Sequence, residues 1–327
     1  MKLGVALTIL VLGLFASREA SADAYTFTTI SVPASDYTEA FGINDGGHVV
    51  GLFYNGSEQG FDYDSSTRVF TTIPTLRNPA FTLSPYSEAM GVNNLNQVVG
   101  SSDALGFLYS NGVFTIINVP GSINVPNGAP TLPTGINNAG QIVGTYYTSS
   151  VPTPNPPTFG FLDANGSFST ISVPGSPATA AIRINDAGQI VGSFSSVDFR
   201  SIHGFIDNNG VFTTIDVPGS SYTTAEGINS LGQIVGTFAN SNSATEGFVD
   251  INGIFTPINV PGSVETSASG INNSGQIVGW FIDTNDQLSG FVATPASIPE
   301  PTSLRLLTSG LAGIAILILR RRRAKRA

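Results

Sequence analysis

The chain has 327 residues, 41% of them hydrophobic and 11% charged, with 37 glycines and 20 prolines, a balance that suits an all-β domain rich in tight turns. It contains no cysteine, so disulfides and thiolate metal sites are excluded. Between residues 23 and 303 four arginines (Arg68, Arg77, Arg183, Arg200) stand against 21 acidic residues, a net charge of −17 with no basic stripe, which excludes nucleic acid as a partner.

Residues 1–22 read as a secretory signal. Lys2 supplies the positive start, Leu3 to Ala16 an apolar run, and Ala20-Ser21-Ala22 small residues at the cleavage positions. Passage through the secretion machinery and cutting by signal peptidase would leave Asp23 first. About 14 apolar residues is short for a membrane span, so a retained helix is the weaker alternative.

The segment 23–296 carries six copies of one pattern. Its marker asparagine falls at Asn44, Asn93, Asn137, Asn185, Asn229 and Asn272, at spacings of 49, 44, 48, 44 and 43 residues. The two long intervals hold insertions rich in Pro, Ser and Asn, which read as surface loops. Each copy divides into four short strands. Gly-Ile-Asn ends the first, a turn such as Asn272-Asn273-Ser274-Gly275 follows, and Gln276-Ile277-Val278-Gly279 opens the second. The third begins at Gly-Phe, and Asn-Gly at Asn111, Asn165, Asn209 and Asn252 folds it onto the fourth. The fourth is of the Phe212-Thr213-Thr214-Ile215 type, closed by Val-Pro-Gly.

Phe212 and Ile215 point to opposite faces, as do adjacent Ile234 and Val235, so the sheets should be covered on both sides. Four-stranded units of this length, each packed between two neighbours, describe a β-propeller. Residues 25–33 are a fourth strand with no first three before them, and residues 268–293 a first three with no fourth after them. Joining those ends completes a sixth blade. The expected fold is therefore an all-β, six-bladed propeller closed by the N-terminal strand and flanked by N-terminal signal and C-terminal membrane helices. A β-solenoid or sandwich is the alternative.

Residues 297–327 form a tail. Pro299-Glu300-Pro301 precedes a short apolar run, Leu306 to Leu319, and then Arg320, Arg321, Arg322, Arg323, Lys325 and Arg326. Positive charge after a span stays cytoplasmic, so the residues before it would lie outside. A helix over 306–319 reaches only about 21 Å against a hydrocarbon core of about 30 Å, so it must borrow flanking residues or hold briefly.

The order Pro-Glu-Pro, short helix, arginine cluster closely resembles the PEP-CTERM sorting signal. That resemblance implies transient anchoring in the inner membrane, cutting near the motif by an exosortase, and release to the cell surface. Arg305, an early charge in the apolar run, departs from the pattern. The repeats resemble extracellular repeats of the HAF type, whose final triplet survives best as His203-Gly204-Phe205. This second resemblance implies an extracellular location and no chemistry.

Candidate catalytic groups are few. His48 stands where the other copies have Gln97, Gln141, Gln189, Gln233 and Gln276, which reads as a surface polar position; His203 reads as structural. Neither has an acid, nucleophile or second histidine beside it in sequence, so no triad or histidine zinc site is expected. The recurring Asn/Asp turns, and Asp62, Asp163, Asp207 and Asp250 after Gly-Phe, read first as turn formers and second as oxygen ligands for calcium. Trp280 reads as packing. The reading is a non-catalytic surface or matrix protein recognising extracellular polysaccharide or another envelope component. The alternative is a secreted polysaccharide-acting enzyme using carboxylates at the propeller mouth.

Overall fold

A computed structural model of the protein describes residues 25–77, 86–122, 130–148 and 158–296. The signal segment with Ala20 and Ala22, and the tail with Pro299, Glu300, Pro301 and Arg320 to Arg323, lie outside the described residues. Among the described residues no helix is long and apolar enough to cross a membrane.

The described residues form 24 strands, opening with β1 (Tyr25–Ile30). One blade holds β2 (Tyr37–Ile43), β3 (His48–Tyr54), β4 (Glu58–Asp64) and β5 (Val69–Thr72). The next holds β6 (Ser87–Val92), β7 (Val98–Ser102), β8 (Leu105–Ser110) and β9 (Val113–Ile117). The third holds β10 (Thr131–Ile136), β11 (Ile142–Tyr147), β12 (Thr158–Ala164) and β13 (Ser167–Ile171). The fourth holds β14 (Thr179–Ile184), β15 (Ile190–Ser195), β16 (Ile202–Asn208) and β17 (Val211–Ile215). The fifth holds β18 (Thr223–Ile228), β19 (Ile234–Ala239), β20 (Thr245–Ile251) and β21 (Ile254–Ile258). The sixth is built from both ends: β22 (Ser263–Ile271), β23 (Ile277–Asp283) and β24 (Leu288–Pro295), with β1 bonded to β24 as its fourth strand. The inner strands β2, β6, β10, β14, β18 and β22 touch one another in a closed ring. The expected six-bladed propeller with an N-terminal closing strand is therefore the observed fold.

The repeat motif has a packing reason at each position. Every inner strand carries a register shift two residues before its Gly-Ile, as between Ala40 and Gly42. The shift presses a carbonyl onto the glycine of the Val-Gly pair: a Cβ at Gly51 would lie 1.9 Å from the Glu39 oxygen, and one at Gly236 1.9 Å from the Thr224 oxygen. No larger residue fits there. The phenylalanines of Gly-Phe (Phe61, Phe107, Phe161, Phe205, Phe248, Phe291) are at most 1% exposed and form the layer on which neighbouring blades stack. At the Asn-Gly turns both residues have positive φ, 55° and 86° at Asn209 and Gly210, which is the hairpin geometry that pair favours. The fourth strands differ from expectation. Ile215 is buried, but Val211 and Ile254 are 68% and 71% exposed, because blades diverge from the axis and leave their rims half covered.

Candidate functional site

The axis is closed at one end by amides. Each marker asparagine donates its side-chain N–H to the backbone carbonyl of the marker in the next blade: Asn44 to Asn93 at 2.9 Å, Asn93 to Asn137 at 3.1 Å, and so on to Asn272, which returns to Asn44 at 3.1 Å. The same side chain's oxygen accepts from its own turn, as Asn229 does from Leu231 and Gln233. A second, exposed layer repeats the device: Asp45 accepts from the amides of Asn94 and Asn273, and Asp186 from Asn138. Asp163, Asp207 and Asp250 each accept from the glycine of their Asn-Gly turn at 2.6–2.7 Å. These asparagines and aspartates hold turns and link blades. Among the described residues no group of three or more His, Asp or Glu side chains is placed to hold a metal ion.

Above the amide ring, Ile43, Val92, Ile136, Ile184, Ile228 and Ile271 line a small cavity of about 70 Å3. Five blades then place glycine at the axis (Gly42, Gly91, Gly135, Gly227, Gly270), and the fourth places Arg183. The glycines are needed because adjacent inner strands nearly touch: a Cβ at Gly91 would meet the Thr134 oxygen at 2.7 Å. Arg183 reaches across the axis. Its Nη2 donates to the carbonyls of Phe41 at 2.6 Å and Met90 at 2.8 Å, and its Nη1 to Ile182 at 3.1 Å and to Thr134. One guanidinium thus ties four blades. Burial pulls it down to about 10, and Glu226 opposes that shift, so it stays charged at neutral pH.

Arg183 is the floor of a funnel of about 560 Å3 that opens at the opposite end. Its wall carries hydroxyls (Thr145, Thr237, Ser267, Ser269) and aromatic residues, among them Tyr147, Tyr222 and Trp280. Trp280 therefore lines the cavity, which corrects the reading of it as packing: it pairs with Ser267 on the inner strand, and both border the funnel. Glu226 is the carboxylate of the wall. Thr224 donates to its Oε1 at 2.8 Å and Ser267 to its Oε2 at 3.4 Å. Burial raises its carboxyl above the usual range, while the hydroxyls of Thr224, Thr237 and Ser269 and the charge of Arg183 pull it back.

Two more carboxylates share this end. By register, Glu39 and Glu88 hold the level that Leu132, Ala180 and Ser267 hold on the other inner strands. Burial lifts Glu88 to about 7, and the like charges of Glu58 and Glu39 add to the shift. Glu39 is also raised, first by burial and then by Glu58, which itself accepts from the Tyr37 hydroxyl at 3.1 Å. The sequence did not single out these groups, although each breaks the repeat.

Both histidines are paired with aspartates distant in sequence. His48 Nδ1 lies 2.9 Å from Asp62, and His203 Nδ1 lies 2.8 Å from Asp216. On the other side of the His203 ring, Nε2 lies 2.9 Å from the Ser201 hydroxyl. Asp216 follows β17, so the β16–β17 hairpin brings it to His203, while Ser201, two residues before His203, reaches the ring from the same strand.

No family model matches the chain, and no curated protein does. Among solved structures, it is similar to the β-propeller domain of the Trilobed protease from Pyrococcus furiosus, at 12% identity over 75% of this chain and 77% of that one, TM-score 0.46. It is also similar to an arginine-to-alanine triple mutant of AofleA from Arthrobotrys oligospora, at 13% identity over 85% and 91%, TM-score 0.47. TolB from Acinetobacter baumannii matches at 16% identity over 72% of this chain and 60% of its own, TM-score 0.47. Likenesses of this strength bear on neither ligand nor activity.

Proposed function

We propose that the protein is exported to the cell surface, where its funnel binds a polyhydroxylated ligand, an extracellular polysaccharide or another envelope glycan, without transforming it. The observation that carries this reading is the funnel wall: hydroxyls interleaved with Tyr147, Tyr222 and Trp280 over a floor sealed by Arg183. Sugars present alternating hydroxyls and apolar ring faces, and aromatic side chains with nearby hydroxyls match both. Arg183 spends its Nη donors on backbone carbonyls, so it shapes the floor more than it recognises a ligand. Export rests on the signal segment and on the Pro299-Glu300-Pro301 tail, with an exosortase-type enzyme as the processing partner.

A glycan-array screen of the full chain, with and without calcium, tests the reading. Binding to a defined set of glycans that Trp280→Ala and Tyr222→Ala reduce at least tenfold is the expected result. A folded chain that binds no glycan, or binds equally after both substitutions, overturns it. The second reading, a polysaccharide-acting enzyme, draws on Glu39 and Glu88, two neighbouring carboxyls raised by burial. Release of new reducing ends from a bound polysaccharide, lost in Glu88→Gln, would favour it.

A further inference from the structure

We propose that Ser201, His203 and Asp216 form an acyl-transfer site at the funnel end of the fourth blade, acting on esters of small carboxylic acids. The inference goes beyond the ligand reading of the funnel and does not depend on it.

The geometry assigns the roles. A carboxylate can only accept, so the 2.8 Å contact with Asp216 places the proton on His203 Nδ1. Nε2 is then the lone-pair nitrogen, and at 2.9 Å it accepts from the Ser201 hydroxyl. That is the order nucleophile, base, orienting carboxylate. Each member is held. The ring of Phe194 lies against the imidazole, with centroids 5.2 Å apart. The Ser201 backbone is clamped by Ser196, whose Oγ accepts from its N–H at 3.1 Å and whose N–H donates to its carbonyl at 3.0 Å. The second carboxylate oxygen of Asp216 is buried with no hydrogen-bond partner among the described residues, so the contact with His203 Nδ1 is what holds this carboxylate. The His48–Asp62 pair, by contrast, has no hydroxyl bonded at Nε2 among the described residues.

The surroundings suit a substrate. β14 starts at the funnel end, and β16 runs in the same direction two strands outward, so Ser201 sits on the funnel face about 10 Å from the inner strand. The imidazole and Asp216 side chains are 29% and 36% exposed, reachable without being fully solvated. The turn before Ser201 presents Val197 and Phe199, 77% and 42% exposed. Phe199 has φ of 56°, where the equivalent turns of the next two blades use Ser243 and Asp286. A bulky residue in that region is uncommon, and such outliers gather at functional sites. Arg200, 87% exposed and 3.6 Å from Asp198, is the turn's cation.

In the step itself, the Ser201 hydroxyl proton passes to Nε2 as Oγ bonds to the ester carbonyl carbon and the carbonyl pair moves onto oxygen. When that pair returns, the carbon–oxygen bond to the alcohol breaks, and the alkoxide takes the proton from Nε2. Water then repeats the sequence on the acyl-serine, releasing the carboxylic acid and restoring the hydroxyl.

A fluorophosphonate probe and p-nitrophenyl acetate, applied to the full chain, test the proposal. The expected result is one adduct per chain, mapped by peptide mass to Ser201, and ester hydrolysis abolished by Ser201→Ala. His203→Gln and Asp216→Asn should slow hydrolysis by on the order of 100-fold or more. His48→Gln should leave it unchanged. The adduct is mapped on the unsubstituted chain, so the result stands even if a variant fails to fold. No adduct, an adduct elsewhere, or hydrolysis that survives Ser201→Ala overturns the site.

Discussion

The side-chain amide of Asn272 donates to the backbone carbonyl of Asn44 at 3.1 Å, joining blades whose markers stand 228 residues apart. It is the last link of a ring that every blade contributes to. Asn272→Ala removes that bond and also strands the N–H groups of Ser274 and Gln276, which donate to its Oδ1. We expect a loss of about 3 kcal/mol, since buried groups would be left unpaired. Asn273→Ala, in the exposed outer layer, should cost less than about 1 kcal/mol. Guanidinium unfolding of the two variants compares them directly; equal losses would mean the inner ring carries no special share of closure.

Arg183 gives a second test of closure, because the other five blades place glycine at its position. Arg183→Met removes the donors to Phe41, Met90, Thr134 and Ile182 while keeping the axis dry and leaving Glu226 without its cation. About 3–5 kcal/mol should be lost. Arg183→Gly matches the other blades and opens room for water to bond the same carbonyls, so its cost should be smaller. Denaturant midpoints in the reverse order would show that side-chain volume, not carbonyl bonding, is what Arg183 supplies.

Glu88 predicts how stability responds to pH. Its carboxyl holds a proton more tightly in the folded chain, about 7 against 4.5, so its contribution is complete below pH 4.5 and is lost as pH rises through 7. The shift corresponds to something on the order of 3 kcal/mol. Glu88→Gln should raise the melting temperature by several degrees at pH 8, have little effect at pH 5, and flatten the profile between them. A variant whose melting profile parallels the parent's across that range would place the pH response in other carboxylates.

Much of the fold was legible because the repeat announces itself. The glycine of Val-Gly is forced by a carbonyl 1.9 Å from its would-be Cβ, and the phenylalanine of Gly-Phe by full burial, so each copy must spell the same letters. The orphan strand at residue 25 was readable for the same reason. The funnel chemistry was not, because it depends on residues that depart from the repeat: Arg183 for glycine, Trp280 at the position Thr145 and Thr237 hold, Glu226 in the inner-strand bulge. Those departures were the available signal. Asp216 carried none, since only the β16–β17 hairpin register brings it to His203; Ser201, two residues before His203, shares its side of the strand and could have been read from that spacing.

Closure by β1 can be measured by removing it. Without Tyr25–Ile30 the last blade ends at β24 with unpaired backbone groups, and Ile30, 2% exposed in the intact domain, leaves the core it shares with Ala40, Phe61 and Val292. An exposed strand edge also templates association with other chains. The truncated chain should melt at markedly lower temperature and aggregate on heating. An unchanged melting temperature would show that the ring holds without its closing strand.

The tail supports the most specific prediction about processing. Pro299-Glu300-Pro301 stands between a domain that would lie outside the membrane and a short apolar run ending in Arg320, Arg321, Arg322 and Arg323. Prolines on both sides of Glu300 disfavour helix and sheet pairing there, so a protease would meet an extended backbone. A run of 14 residues, about 21 Å as a helix, is too short to span comfortably and would hold the motif close to the outer membrane surface. We expect a mature form that starts at Asp23 and lacks the segment from about Pro299 onward, and uncleaved Glu300→Ala protein retained in the inner membrane. Intact-mass measurement of surface-exposed material decides between processing and plain anchoring: a species that still carries the arginines would make this region an ordinary anchor.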